Sequence, residues 1–217
     1  KIDLHTHSIL SADGGVRADE YASVLNLGKL DYIAVTDHNQ ISRALELHRQ
    51  LGAGIIVGEE IKTRSGELVG LFLTRLIPAG MGLKETIAAI RSQGGVVYVP
   101  HPFSSYKAGL TLDSLEQIRN EIDILEVYNA RSFRQGDNVK AESFAREHDL
   151  PSATGSDAHS HYGLGSCYTL VGAVPDHENL PGLLKKATLV KHRASLREFL
   201  APTINRLYKG LKLIPEQ

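Results

Sequence analysis

The chain predicts an α/β fold built on a parallel sheet, on three observations. Apolar runs of strand length alternate with segments of helical spacing through most of the 217 residues. The runs are continuously apolar, as suits strands buried on both faces. Nearly every run ends in a ligand-type side chain, and in parallel α/β folds the C-terminal strand ends share one rim where sites are built.

IDLHTH, YIAVTDH, GIIVGEE, GVVYVPH, IDILEVYN and PSATGSDAH read as strands. Between most of them lie helical segments: ADEYASVLNLGK, SRALELHRQLG, KETIAAIRSQGG, LDSLEQIRNE and NVKAESFAREHD. Gly52, Gly94 and Gly95 fall where helices should stop, and Asp113 or Ser114 where one should be capped. IKTRSGELVGLFLT breaks the alternation and reads as a β-hairpin turning at Ser65-Gly66. No repeat, low-complexity stretch or linker precedes residue 175, so residues 1–217 are expected to form one domain. Residues 175–217 form a looser extension packed on the body. A short helix is expected in VPDHENLPGLLKKA and a longer one in SLREFLAPTINRLYKGLKL, interrupted at Pro202. The apolar set of the longer helix (Leu196, Phe199, Leu200, Ile204, Leu207, Leu211) should pack on the body and leave Arg206, Lys209 and Lys212 in water.

The formal charge of −1 makes no case for a nucleic-acid coat. From Lys185 onward eight Lys or Arg face only Glu198 and Glu216, a basic stripe that reads as a solvated helix face. Cys167 is the only cysteine, which excludes an intrachain disulfide and a cysteine zinc site and suggests a buried, inert thiol. No apolar run approaches the ~20 residues of a membrane span, and nothing resembles a signal peptide. A cytoplasmic protein without a membrane or an evident protein partner is expected. Because the first residue is Lys, a few residues are expected to precede it.

The chemistry collects at the strand ends. His5 and His7 alternate along the first strand with Asp3 on their face and Ile2 and Leu4 on the other. Two imidazoles that close repel when protonated and are accommodated by a cation between them; on this stretch alone two surface histidines are the bland alternative. Later strand ends add Asp37-His38, Glu59-Glu60, His101, and Asp157 with His159. His48, His148, His177 and His192 fall on helices and loops and read as surface residues. Asp37 reads as a carboxylate orienting a neighbouring imidazole. Flanking prolines would hold His101 rigidly. Ser156, Asp157 and His159 are too close in sequence to form a nucleophilic triad.

DLHTHS, TDHN, GEEI, PHPF and GSDAH, in this order and spacing, resemble the PHP family, named for polymerase and histidinol phosphatase. The resemblance runs from about Ile2 to Leu170. SGELVGLFL, EVYNAR and LPSATGSDAH are most similar to its compact stand-alone members, the metal-dependent phosphoesterase and exonuclease-like group. It implies a distorted (β/α)7 barrel with a C-terminal helical extension and a centre of three divalent ions. By that resemblance His5, His7, Glu60 and Asp157 hold one ion, and His38, Asp13 and His159 another. Glu60 bridges to the third, which also takes His101. Glu60 is chosen over Glu59 because the family acid directly precedes an apolar residue, here Ile61. Glu67 stands where relatives commonly carry histidine, and as an oxygen ligand it favours Mn or Fe over Zn. Asp13 lies one residue further from His7 than in the commonest pattern.

The resemblance also implies phosphoester hydrolysis by a metal-activated hydroxide. Three divalent ions bring six positive charges against Asp13, Glu60, Glu67 and Asp157, an excess that suits an anionic ester. Asp157, His159 and Arg131 are the expected catalytic residues, Arg131 gripping a phosphate oxygen, with Lys107 and Arg134 as weaker candidates. The expected substrate is a phosphorylated small molecule or short oligonucleotide: a 3′,5′-bisphosphonucleotide, or the 5′ end of an oligonucleotide. Phe103 and Tyr106 offer a stacking wall for a base. Histidinol phosphate, an amide cleaved by an amidohydrolase-type C–N hydrolase, and a metal-free accessory module are the alternatives. The filled ligand positions argue against the last.

Overall fold

The computed structural model describes residues 1–212. Its elements run β1 (Ile2–Thr6), α1 (Ala18–Asn26), β2 (Tyr32–Val35), α2 (Ser42–Leu51), β3 (Ile55–Thr63) and β4 (Gly66–Leu71). Then come α3 (Leu83–Arg91), β5 (Val96–Val99), α4 (Leu112–Ile118), β6 (Ile124–Asn129), α5 (Gln135–Glu147) and β7 (Ser152–Gly155). The chain ends with β8 (Tyr168–Leu170), α6 (Leu180–Leu184), β9 (Thr188–Val190) and α7 (Leu196–Gly210).

The strands form one sheet in the order β7-β6-β5-β4-β3-β2-β1-β8-β9. Pairs β1–β2, β2–β3, β5–β6 and β6–β7 are parallel, each joined through a helix. The hairpin inserts β4 antiparallel between β3 and β5, with Thr63 opposite Gly66, so the turn is Arg64-Ser65 and not the expected Ser65-Gly66. Strand count is where the α/β expectation falls short. Seven strands curl into the nearly closed barrel, and β8 and β9 add an antiparallel pair beside β1. These are three-residue strands with exposed or half-buried members, too short and mixed for a periodicity to show.

One buried cluster takes Leu4, Ala34, Ile56, Val69, Tyr98, Ile124 and Ala153, one from each of β1 to β7. Strands at opposite ends of a sheet share a cluster only on the enclosed face, so these residues fill the barrel, with Leu180 and Leu184 of α6 joining them. A second cluster binds the helices to the outer face through Ile33, Val35, Val57, Val97, Val99 and Leu125. Burying a Val, Leu or Ile stabilises by about 1.5–3 kcal/mol each, so these two clusters are the barrel's main apolar stabilisation. Cys167 is buried, and desolvation pushes its thiol up to about 12, which keeps it inert. No helix among the described residues is long and apolar enough to cross a membrane.

Two local expectations are corrected. Helix α4 is capped by Thr111, whose hydroxyl accepts the Ser114 N–H at 3.3 Å, rather than by Asp113 or Ser114. Helix α7 runs unbroken through Pro202, and it docks by its polar side. Glu198, Ala201 and Pro202 are buried, whereas Leu196 is 76% and Leu207 59% exposed, and Leu200, Ile204 and Leu211 also face solvent. Lys209 is turned into the body and Arg206 is ion-paired, while Lys212 stays exposed as expected. The surface beneath α7 offers carbonyls and a carboxylate that require partners, so the polar face wins over the apolar one. Leu213, the expected helix end, and Glu216 lie outside the described residues.

Glu59 shows why one of two adjacent acids belongs to the scaffold. Its Oε2 accepts the Ile77 N–H at 2.9 Å, while the buried Oε1 has no hydrogen-bond partner. Burial pushes its carboxyl from 4.5 up to about 7. A raised carboxyl stabilises the native state fully below the unfolded value and loses that contribution as pH rises through 7. Glu59→Gln should therefore gain on wild type between pH 5 and pH 8, by up to about 3 kcal/mol. Urea midpoints of both proteins at the two pH values, measured in chelator, check this; a constant gap would refute it.

Candidate metal centre

The barrel closes at its upper rim, where the chain after β7 pairs with the end of β1. Asp157 N–H donates to the His5 carbonyl at 2.9 Å and His7 N–H to the Ala158 carbonyl at 2.8 Å. This two-bond ladder brings His5, His7, Asp157 and His159 together. Asp3, expected on the histidines' face, is engaged with the backbone instead, accepting from Ser156 N–H at 3.1 Å and His5 N–H at 3.4 Å. A register shift within β1 between Asp3 and Thr6 accounts for the difference. Asp157 and His101 both sit at positive φ, 52° and 28°. Such strain costs on the order of 1–3 kcal/mol and persists only where the surroundings over-determine it.

All nine residues expected around the metal come together. His5 Nε2 and His7 Nε2 face each other at 3.1 Å. Glu60 Oε2 lies 3.1 Å from His38 Nδ1, 3.3 Å from His7 Nε2 and 3.5 Å from His5 Nε2. Its other oxygen is 2.9 Å from His101 Nε2. Asp157 Oδ1 is 3.4 Å from both His7 Nε2 and His159 Nδ1. Asp13 Oδ1 is 3.4 Å from His159 Nε2 and 3.6 Å from His38 Nε2. The hairpin swings Glu67 over the rim, with one oxygen 3.8 Å from His38 Nδ1 and the other 3.9 Å from His101 Nε2.

These atoms fit a divalent-ion centre. Four overlapping trios have donor atoms within 4.8 Å of one another: His7-His38-His159, His5-His101-Asp157, His5-His7-Glu60 and His38-Glu60-Glu67. Glu60 Oε2 and Asp13 Oδ1 are buried and receive no hydrogen bond, although imidazole nitrogens surround them. A set of neutral imidazoles and carboxylates is what Zn, Mn and Fe bind.

The electrostatics follow from crowding. Burial, helped by the neighbouring His159 charge, drives His7 down to about 3. Burial opposes charge on His5 too, yet Glu60, Asp157 and Glu126 raise it well above the ordinary value. Against the same burial penalty, His38 and His5 hold Glu60 well below the carboxylate range, and Lys107 and Arg131 do so for Asp157. Glu67 moves the other way. Desolvation and the Glu60 charge push it up to about 9.

Glu126, mid-strand in an apolar run and not assigned a role from sequence, anchors the centre from below. It meets His5 Nδ1 at 3.1 Å, accepts the Tyr98 hydroxyl at 2.7 Å and Asn129 Nδ2 at 3.0 Å, and accepts the His101 N–H. A carboxylate behind a ligand-type histidine fixes its tautomer and orientation. The signal available was a charge where β6 should carry an inward apolar side chain. Asp37, assigned that role from sequence, does something else. It accepts Ser8 N–H at 2.6 Å and Ser8 Oγ at 2.5 Å, because the turn leaving β1 needs an acceptor.

A cavity of ≈ 600 Å³ opens over the carboxylates. Arg131 Nη1 donates to Asp157 Oδ1 at 3.2 Å and lies 2.8 Å from His159 Nδ1. Lys107 Nζ bonds to Asp157 Oδ2 and, at 2.9 Å, to Asn129 Oδ1. Arg206 reaches in from α7 to Asp13 Oδ2 at 2.6 Å. Arg134 is exposed and stands over the Tyr106 ring, 5.3 Å from its centroid. Tyr106 and Phe133 line the mouth edge-to-face, centroids 6.1 Å apart. Phe103 is not part of that wall, because it packs inward against Phe144 at 6.3 Å.

A family model described as PHP-associated matches residues 135–188. An uncharacterized protein of Methanocaldococcus jannaschii, MJ0417, is 34% identical over 172 residues, which are 77% of this chain and 69% of that protein. A two-domain protein of Bacteroides vulgatus, described as containing a predicted PHP-like metal-dependent phosphoesterase, superposes with a TM-score of 0.69 at 20% identity. The match covers 95% of this chain and 69% of that one. An amidohydrolase from Chromobacterium violaceum, solved with bound sulfate and no metal, gives 0.59 at 15% identity over 73% of this chain and 87% of its own. Fold and rim chemistry together define an α/β barrel with a strand-end metal-binding site. The chain belongs to the PHP family.

Glu126→Ala should destabilise the chelated protein by about 3–5 kcal/mol, since it strands a buried histidine, a tyrosine hydroxyl and a backbone N–H. Denaturant unfolding measures this. A loss under 1 kcal/mol would mean that these groups find other partners.

Proposed function

We propose that this protein is a metal-dependent phosphoesterase acting on a phosphate ester of a nucleotide or short oligonucleotide. The observation that carries the reading is a divalent-ion donor set roofed by three cations, Lys107, Arg131 and Arg206, in one cavity. Donors for a metal beside donors for an anion suit a phosphate ester better than a neutral amide, which brings no charge for those cations to meet. Family membership supports the same reading, as does the description of the Bacteroides vulgatus protein.

In this reading three ions, Mn, Fe or Zn, are held by His5, His7, Asp13, His38, Glu60, Glu67, His101, Asp157 and His159. Glu60, whose Oε2 lies among three imidazoles, would be shared between ions. Bound ions supply an activated water near neutral pH and neutralise charge on the phosphoryl group. The chain's own residues do the rest. Arg131, with a buried Nε that has no partner, orients a phosphate oxygen, and Lys107 supplies a second positive point. Asp157 and His159, both bonded to Arg131, tie that grip to the ligand cluster. Tyr106 and Phe133 give a base a ring to stack on.

The substrate reading is tested by hydrolysis of p-nitrophenyl phosphate, 3′,5′-bisphosphonucleotides, 5′-phosphorylated short oligonucleotides and a panel of amides. Turnover of the phosphates alone is expected, and Asp157→Ala should abolish it and lose at least one ion with the fold intact. Amide cleavage without phosphate cleavage, or wild-type metal content in Asp157→Ala, would overturn the assignment.

Glu67 gives a pH signature. A carboxyl with its pKa near 9 is protonated at neutral pH, and ligation requires the carboxylate, so loading must expel that proton. Metal affinity should rise with pH up to about 9, and Glu67→Gln should release about one fewer proton per chain than wild type. Glu67→His should keep the ion and shift preference toward Zn. Metals per chain and proton release during Mn(II) titration decide this; equal values for all three proteins would make Glu67 a spectator.

A further inference from the structure

Helix α7 touches the body along its polar side, at the two loops that carry Asp13 and His159. Lys209 Nζ donates to three carbonyls of the first loop: Ile9 and Gly14, both at 2.7 Å, and Ser11. Asn205 Nδ2 bridges the loops, donating to the Asp13 carbonyl at 2.8 Å and the His159 carbonyl at 2.9 Å. Glu198, fully buried, accepts the His159 N–H and the Ser160 hydroxyl. Arg206 binds Asp13 Oδ2 and leaves the buried, unpartnered Oδ1 facing His38 and His159.

The body is shaped to receive these side chains. A Cβ at Gly15 would meet the Asn205 amide at 2.7 Å and the His159 carbonyl at 2.9 Å. A Cβ at Gly163 would meet the Glu198 carboxylate at 2.7 Å. A helix docked only for stability would bury its leucines, yet α7 leaves Leu196, Leu200 and Leu207 in solvent. Its polar contacts fall on the loops bearing Asp13 and His159.

We propose that α7 is a strap that positions one half of the metal centre. Glu198, Asn205, Arg206 and Lys209 are positioning residues that hold the Asp13 and His159 loops in register, and they set how tightly the ion between Asp13, His38 and His159 is bound. The proposal rests on the metal-centre reading above. Asp13 lies on a loop and His159 beyond the end of β7, and loops leave a ligand loosely aimed unless an outer contact fixes it. Partners outside the ligand set typically change metal affinity 10–100-fold.

The test is Mn(II) uptake by equilibrium dialysis, with Co(II) absorption spectra as a report on ligand geometry. The proteins compared are wild type, Lys209→Ala, Lys209→Arg, Arg206→Ala, Gly15→Ala and, on the outward face, Leu207→Ser. Lys209→Ala, Arg206→Ala and Gly15→Ala should need at least about tenfold more Mn(II) to fill one ion position, with the rest of the uptake curve unchanged. Lys209→Arg should recover most of the affinity, and Leu207→Ser should match wild type. Arg206 is 64% exposed, so its variant should fold even where the others do not. Uptake curves that superimpose on wild type while melting temperatures fall would reduce α7 to a packing element and end the proposal. Equal weakening at every ion would end it too, as the mark of general loosening. Wild-type protein that takes up no ion would overturn the metal-centre reading and the strap with it; normal wild-type uptake with unaltered variants would overturn the strap alone.

Discussion

The pairing of Asp157 and Ala158 with His5 and His7 is the contact on which the rest of the site depends. It joins residues some 150 positions apart with two backbone hydrogen bonds, and it turns an open sheet into a nearly closed barrel. With that closure, strand ends that would otherwise fan apart share one rim. Asp157 meets His7, and the His159 ring lies tilted against it, centroids 4.3 Å apart. The positive φ of Asp157 follows from the same closure, since the chain must bend to reach β1 while its side chain turns into the centre.

Around this closure the polar groups are arranged in tiers, and each tier answers a burial problem created by another. Five imidazoles and four carboxylates within one apolar barrel would be untenable if all were independently charged. Glu60, Asp157 and Glu126 stabilise a proton on His5, the cations Lys107 and Arg131 keep Asp157 ionised, and His7 gives up its charge. Glu67, desolvated and crowded by Glu60, takes up a proton instead. The apolar barrel below, with one side chain from each of seven strands, is rigid enough to hold such a cluster in register. Function and stability are thus segregated by height within the barrel.

The fold was readable where period and length were strong. Six strands, five helices and the hairpin stand where apolar runs and turn residues place them, the hairpin turning at Arg64-Ser65, one residue before the expected Ser65-Gly66. The short antiparallel β8 and β9 were not, because three-residue strands carry no period. Helix α7 was readable as a helix and misread as a surface. Its leucine spacing argued for an apolar docking face, but what a helix docks against is decided by the partner surface, here a row of carbonyls and a carboxylate. Likewise Phe103 and Tyr106 share a loop but part company, one entering the core beside Phe144 and the other lining the cavity with Phe133.

The sequence by itself determined the α/β class, the residues gathered at the rim and the choice of Glu60 over Glu59. The class and most rim residues rest on local period and on residue type at strand ends, and the choice of Glu60, with Asp13 and Glu67, on the resemblance to the PHP motifs; all are properties of short stretches. Tertiary structure alone decided which atoms face one another and which groups support them: Glu126 under His5, Asp37 on Ser8, and Lys209 on the Asp13 loop. The reason is physical. A strand end fixes a side chain's height and facing, whereas a hydrogen-bond partner from another element depends on closure, twist and docking, which no stretch of chain encodes alone.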